Sequence, residues 1–120
     1  MKNFKQLTVW QKAMRLVVEI YKLTEALPDK EKFGLTSQLR RAAVSVPSNI
    51  AEGSSRTSDK DYVRFLEIAL GSSFEVETQL LIVKELGFAA EKQLSECFRI
   101  LEEVQKMIQA FITAIEKSNK

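Results

Sequence analysis

The residue types that could support chemistry are few in this chain. Its 120 residues include no histidine, which removes the usual general base, Ser-His and Cys-His nucleophilic pairs, and Cys/His zinc sites. The Glu-x-x-His pairs of di-iron helical bundles are missing for the same reason. Glu75 and Glu77 are close in sequence but lie about 160° apart around a helix, so they do not form a carboxylate pair. The sequence therefore predicts no catalytic residues, no metal site, no cofactor and no small-molecule substrate.

The single cysteine offers little more. Cys97 is the only one, so an intrachain disulfide is excluded, and its position within an apolar stripe is typical of inert packing. The first residues lack the pattern of a signal peptide. No apolar run approaches the roughly 18 to 20 residues that span a bilayer. These features favour a cytoplasmic protein without a membrane partner.

Basic residues are the remaining candidates for binding. The net charge is only +2, but residues 1–64 carry 12 basic and 7 acidic side chains, whereas residues 65–120 carry 6 and 9. The candidate nucleic-acid contacts are Arg40, Arg56, Lys60 and Arg64. Such a patch would bind RNA or DNA phosphates weakly and in a salt-sensitive way. The alternative is ordinary solvated charge, partly neutralised by Asp59 and Asp61.

These residues must be positioned by helices. Glycine and proline are scarce, at 4 and 2 residues, and apolar residues recur with helical spacing. The predicted helices cover about 8–26, 35–53, 58–86 and 91–117. Short connections then favour an all-α, antiparallel up-down-up-down four-helix bundle, formed by residues 1–120 as a single domain.

Several end signals support these limits. Thr8 is the expected N-cap of the first helix. Thr36 or Ser37 is a candidate cap of the second, with an earlier start of that helix as the alternative. Ser58 with Asp61 resembles a capping box at the start of the third. Gly87 stands where a left-handed C-cap belongs.

The second helix contains the least ordinary segment, QLRRAAVSVPSNIAEGSSR, with Pro47 at its centre. The core stripe keeps its phase across the proline, which favours one kinked helix over a break in which Ser45 caps a second short helix.

The side of this helix that faces away from the core carries small residues and Val44 instead of abundant Lys and Glu. The first helix also has a wider apolar surface than one core contact needs. Both features favour contact with a second subunit. The alternative is an ordinary solvent-exposed surface that includes a single exposed valine. The candidate assembly residues are Arg41, Val44, Ser48, Asn49, Ala51 and Glu52.

Three segments carry a family resemblance. VWQKA at 9–13, QLRRAAVSVPSNIAEG at 38–53 and FLEIALGSSFEVETQL at 65–80 resemble the bacterial 23S rRNA intervening-sequence protein family, often labelled the S23 ribosomal protein family. The resemblance implies a four-helix bundle that assembles as a homopentamer, and it implies no established biochemical role. A related bundle, the accessory protein of diversity-generating retroelements, is strongly basic and binds nucleic acid, unlike this nearly neutral chain.

Together these observations predict a non-enzymatic homo-oligomer that binds RNA or DNA weakly through a basic surface. The alternative is a structural or adaptor protein that binds a protein partner through its oligomer surface.

Overall fold

Four long helices account for most of the computed structural model, which describes residues 3–118. Helix α1 spans Thr8–Thr24, α2 Leu35–Ser54, α3 Asp59–Leu86 and α4 Glu91–Ser118. Two short 3-10 helices, Phe4–Gln6 and Asp29–Glu31, precede α1 and α2. The described residues contain no strand. The all-α prediction is confirmed, and each α-helix ends within two residues of its predicted limits.

The helices form a closed square of contacts. Helix α1 contacts α2 and α4, and α3 contacts α2 and α4. Within the described chain, α1 does not contact α3, and α2 does not contact α4, so these pairs lie on the diagonals. A helix of 28 residues is about 42 Å long, close to the longest dimension of 48 Å. Because each connection is short, successive helices run antiparallel along this axis.

Apolar spacing explains which sides face inward. The core takes one stripe from each helix and excludes water from it, which is the main source of stability. The largest fully buried side chains are Leu16, Ile20, Leu23, Leu39, Val46, Ile50, Leu66, Val76, Leu80, Ile100, Leu101 and Ile108.

Pro47 lies within an uninterrupted α2 and is itself buried. The single-helix interpretation is therefore correct, and the alternative break at Ser45 does not occur. Six residues further on, Gly53 lets α2 approach α3 closely. A Cβ at this position would stand 2.9 Å from the Cβ of Phe65 and 3.0 Å from a ring carbon of Tyr62.

Two of the predicted caps are present and two are wrong. The Ser58 hydroxyl accepts a hydrogen bond from the Asp61 amide at 3.1 Å, and Gly87 adopts φ +68° after α3. Thr8 is the first residue of α1, not its N-cap, because the preceding 3-10 helix leads into α1 through Leu7. Neither Thr36 nor Ser37 caps α2, which begins earlier.

The actual start of α2 is Leu35. Its amide donates to a Glu31 carboxylate oxygen at 3.2 Å, so the cap comes from the preceding 3-10 helix.

The connection between α1 and α2 and the connection between α3 and α4 lie at the same end of the bundle. Lys30, between α1 and α2, places its ammonium 5.9 Å from the ring centroid of Phe88, between α3 and α4. The connection between α2 and α3 is therefore at the opposite end, together with the start of α1.

Candidate functional site

The predicted assembly residues on α2 divide into exposed and internally bound groups. Val44 is 40% exposed, Ser48 is exposed, and Ala51 is half-buried. Arg41 is also exposed and borders a groove of about 430 Å³ between α2 and α3. These four residues are available on the outside of the bundle.

Asn49 is engaged within the bundle instead. Its amide nitrogen donates to the Ser45 carbonyl oxygen at 2.8 Å and to the Ser45 hydroxyl at 2.9 Å. That hydroxyl lies 2.8 Å from the Ser72 hydroxyl of α3. Asn49 therefore orients a polar link between α2 and α3.

Glu52 has a partner one helical turn away. Its carboxylate accepts from the Arg56 guanidinium at 2.7 Å. The same guanidinium lies 4.6 Å above the centroid of the Phe65 ring. Of the predicted phosphate contacts, Arg56 thus already has a carboxylate and an aromatic partner.

Arg40 of α2 forms hydrogen bonds with residues at the end of α1. Its Nε donates to the Thr24 hydroxyl at 2.8 Å, and a terminal nitrogen lies 3.4 Å from both the Tyr21 carbonyl oxygen and a Glu25 oxygen. The guanidinium also covers the Tyr21 ring at 4.4 Å. The structure therefore gives this predicted phosphate contact several internal partners.

Lys60 and Arg64 remain exposed at the start of α3. Within residues 3–118 neither forms an ion pair with a carboxylate. They line a hollow that also includes four carboxylates, those of Asp59, Asp61, Glu67 and Glu116. The four predicted phosphate contacts therefore differ in environment, and this hollow carries more negative than positive charge.

An apolar surface runs across α1 and α2. Val18 is 49% exposed and Phe33 is 90% exposed. Tyr21 joins them because it lines two hollows, one with Val18 and one with Phe33 and Val44. We call Val18, Tyr21, Phe33 and Val44 the α1–α2 surface. It includes the predicted extra width of the first helix and the predicted exposed valine of the second.

A second apolar surface was not predicted. Helix α3 exposes five large apolar side chains, with Phe74 at 51% and Leu86 at 52%. We call this set the α3 outer face: Ile68, Phe74, Leu81, Ile82 and Leu86. The sequence signal was available, since these residues fall within about 140° on the side of α3 opposite its core stripe.

Charged residues seal the opposite boundary between α1 and α4. Lys12 binds Glu103 at 3.0 Å, Arg15 binds Glu96 at 3.1 Å, and Arg99 binds both carboxylates at 2.6 Å. The hydrogen bond from Arg99 lowers the pKa of the Glu96 carboxyl below its ordinary value, and that from Lys12 lowers the pKa of Glu103. Each of these charged side chains therefore has an oppositely charged partner within the bundle.

The remaining reactive side chains between residues 3 and 118 do not form a catalytic cluster. Cys97 is fully buried, and burial raises the pKa of its thiol to about 12, so the thiolate nucleophile is scarce at neutral pH. Among residues 3–118 no group of His, Cys, Asp and Glu side chains could hold a metal ion. None of the helices in the described part combines the length and apolarity needed to cross a membrane.

These features define a small all-α bundle whose distinctive chemistry is on its outer surfaces. The chain belongs to the 23S rRNA-intervening sequence protein family, whose model matches residues 5–110.

A crystal structure from Bacteroides thetaiotaomicron has a similar fold, with a TM-score of 0.81 and 25% sequence identity. The match covers 88% of this chain and 98% of the other, which is a protein of unknown function from the S23 ribosomal protein family. No curated protein matches the chain significantly. Neither description names an enzymatic activity, and the family resemblance predicted from the sequence is confirmed.

Proposed function

We propose that this chain is a non-enzymatic protein that assembles with copies of itself and presents a repeated surface to a macromolecule. The α1–α2 surface is the observation that carries the proposal. Contiguous exposed apolar side chains are uncommon on monomers, and each Å² removed from water contributes about 25 cal/mol. Phe33, almost fully exposed, would gain the most from being covered.

The resemblance to the family suggests five copies, and light scattering tests the assembly directly. One chain has a mass of 13.7 kDa, so a pentamer would have about 68 kDa. Val44→Glu should lower the measured mass, because it buries a carboxylate against an apolar partner. Thr113→Glu, at an exposed position of α4, is the matched control and should leave the mass unchanged. A wild-type mass of one chain at micromolar concentration would overturn the proposal.

Weak nucleic-acid binding is the second candidate function. Lys60 and Arg64 are exposed cations without an ion pair in the described chain, and an assembly would repeat them in every copy. Repetition raises affinity without a strong single site. Because four carboxylates share their hollow, binding would be weak and lost as salt is added.

Gel shifts with mixed-sequence RNA and DNA at low salt test this candidate. Arg64→Glu should reduce retention several-fold, whereas Lys106→Glu, at an exposed position of α4, should have little effect. No retention by the wild type even at low salt would remove nucleic acid as the partner. The assembly would then be better explained as a structural or adaptor protein with a protein partner.

A further inference from the structure

We propose that copies assemble head to tail, with the α3 outer face of one copy docked on the α1–α2 surface of the next. This inference rests on the proposed self-assembly and assigns the two surfaces that form its contact. The candidate occupant of the α3 outer face is therefore a second copy of this chain.

The α3 outer face requires an explanation because α3 already contributes a full stripe to the core. A helix that is apolar on both its inner and outer sides is normally covered on both. The exposed side chains extend from Ile68 to Leu86, which is about five turns of helix. This length suits the side of another helical bundle better than a small ligand.

The position of the two surfaces favours a heterologous contact. Helices α1 and α3 lie on a diagonal of the bundle and do not contact each other, so Val18 and Tyr21 of α1 lie away from the α3 outer face. A two-fold symmetric contact centred on either surface would pair that surface with itself and leave the other in water. A head-to-tail contact covers both, and it can close into a ring.

Charge favours the same pairing. Between residues 67 and 86 the outer side of α3 carries three exposed glutamates, Glu67, Glu75 and Glu85. The only basic residue in this stretch, Lys84, falls about 60° outside that arc on a helical wheel. Over these turns the charges on the outer side of α3 itself are mainly negative. Arg64 lies on the same side one turn before Ile68, and Arg41 of α2 shares a groove with Glu75.

The hollows of the α1–α2 surface have the opposite balance. They are lined by four cationic residues and one carboxylate: Lys22, Lys32, Arg40, Arg41 and Glu25. Self-pairing of either surface would bring mainly like charges together, whereas head-to-tail docking brings the excess negative charge of one surface to the excess positive charge of the other. Burial, geometry and charge therefore favour one arrangement.

Two single-face variants test the assignment. Phe74→Glu blocks the α3 outer face, and Val18→Glu blocks the α1–α2 surface. Each alone should give mainly a 13.7 kDa monomer, because every head-to-tail contact needs both surfaces. Mixed in equal amounts, they should form a one-to-one heterodimer and nothing larger, since each variant retains the surface that its partner lacks. Thr113→Glu again serves as the control and should keep the wild-type mass.

The measured masses distinguish a wrong assignment of the two surfaces from a failure of self-assembly. If either variant keeps the wild-type mass, or if the mixture stays monomeric, the head-to-tail assignment is wrong while self-assembly stands. If the wild type itself is a monomer, the proposed self-assembly fails first. Far-UV circular dichroism must show that each variant is helical. If Phe74→Glu does not fold, Phe74→Ser replaces it, and Val18→Ser replaces Val18→Glu in the same way.

Cross-linking gives a second readout that needs no disruptive charge. With a short bis-maleimide, the Val18→Cys, Phe74→Cys double variant should form a ladder of covalent multimers. Either variant with one added cysteine should remain largely monomeric on a denaturing gel, because the native Cys97 is fully buried. Efficient dimer formation by Phe74→Cys alone would contradict the proposal, because it would place two α3 outer faces together.

Discussion

Helices α3 and α4 are alike on the inside of the bundle and different on the outside. Each has 28 residues and each buries eight of them. Helix α3 exposes five large apolar side chains, whereas the described residues of α4 expose none and present ion pairs with α1 instead. The core therefore accounts for one side of each helix, and the outside of α3 needs a separate explanation.

The largest expected effect on stability comes from the core-facing sides of α3 and α4, which should contribute equally. Leu80 on α3 and Leu101 on α4 are both fully buried. Leu80→Ala and Leu101→Ala should each lower the free energy of unfolding by about 2–5 kcal/mol, through lost transfer energy and a residual cavity. Urea unfolding at one fixed protein concentration measures both. A loss confined to the α4 variant would show that the inner sides are not equivalent.

A smaller effect is expected from two glycines that border opposite sides of α3. Gly53→Ala places a methyl group against Phe65 and Tyr62 on its packed side, and the overpacking costs about 1–3 kcal/mol. Gly71, on the outer side, has no atom within 4 Å of an added Cβ. In the Val18→Glu background, which should keep the chain monomeric and the α3 outer face free, Gly71→Ala should therefore stabilise the helix by up to about 1 kcal/mol. Thermal melts measure both changes, and the opposite order of stability would refute the described packing between α2 and α3.

The smallest effect concerns the ion-paired boundary of α4. Glu96 and Glu103 have pKa values below the ordinary 4.5 in the folded protein. Their contribution to stability is therefore present above about pH 4.5 and lost as the pH falls through the lower folded-state values. Glu103→Gln should lower the melting temperature slightly at pH 7 and much less at acid pH. A constant difference between the variant and the wild type across this range would contradict the ion-pair explanation.

The architecture could be predicted because helical periodicity is local. In α3, Tyr62, Leu66, Ala69 and Val76 repeat at helical spacing, and all are buried. The cap at Ser58 is equally local. Thr8 failed as a cap because the 3-10 helix before it decides where α1 begins.

The candidate surfaces were less predictable because their partners come from distant parts of the chain. Arg40 and Arg56 could be recognised as basic, but Thr24 and Phe65, which engage them, are nearby only after folding. The α3 outer face was missed for another reason. The core stripe by itself accounts for a helix at α3, and the apolar residues between its members do not by themselves indicate a second buried side.

The contact between Lys30 and Phe88 has a consequence for the connectivity of the chain. It places the first and third connections at one end of the bundle, so Asn3 and Ser118 both lie toward the other end. A linker joining Asn3 to Ser118, with a new opening at the exposed Gly87, would give a circularly permuted chain with the same four helices and the same core. Proteins fused at Asn3 and Ser118 would likewise emerge from a single end of each copy, which makes the bundle suitable for displaying two fused domains side by side.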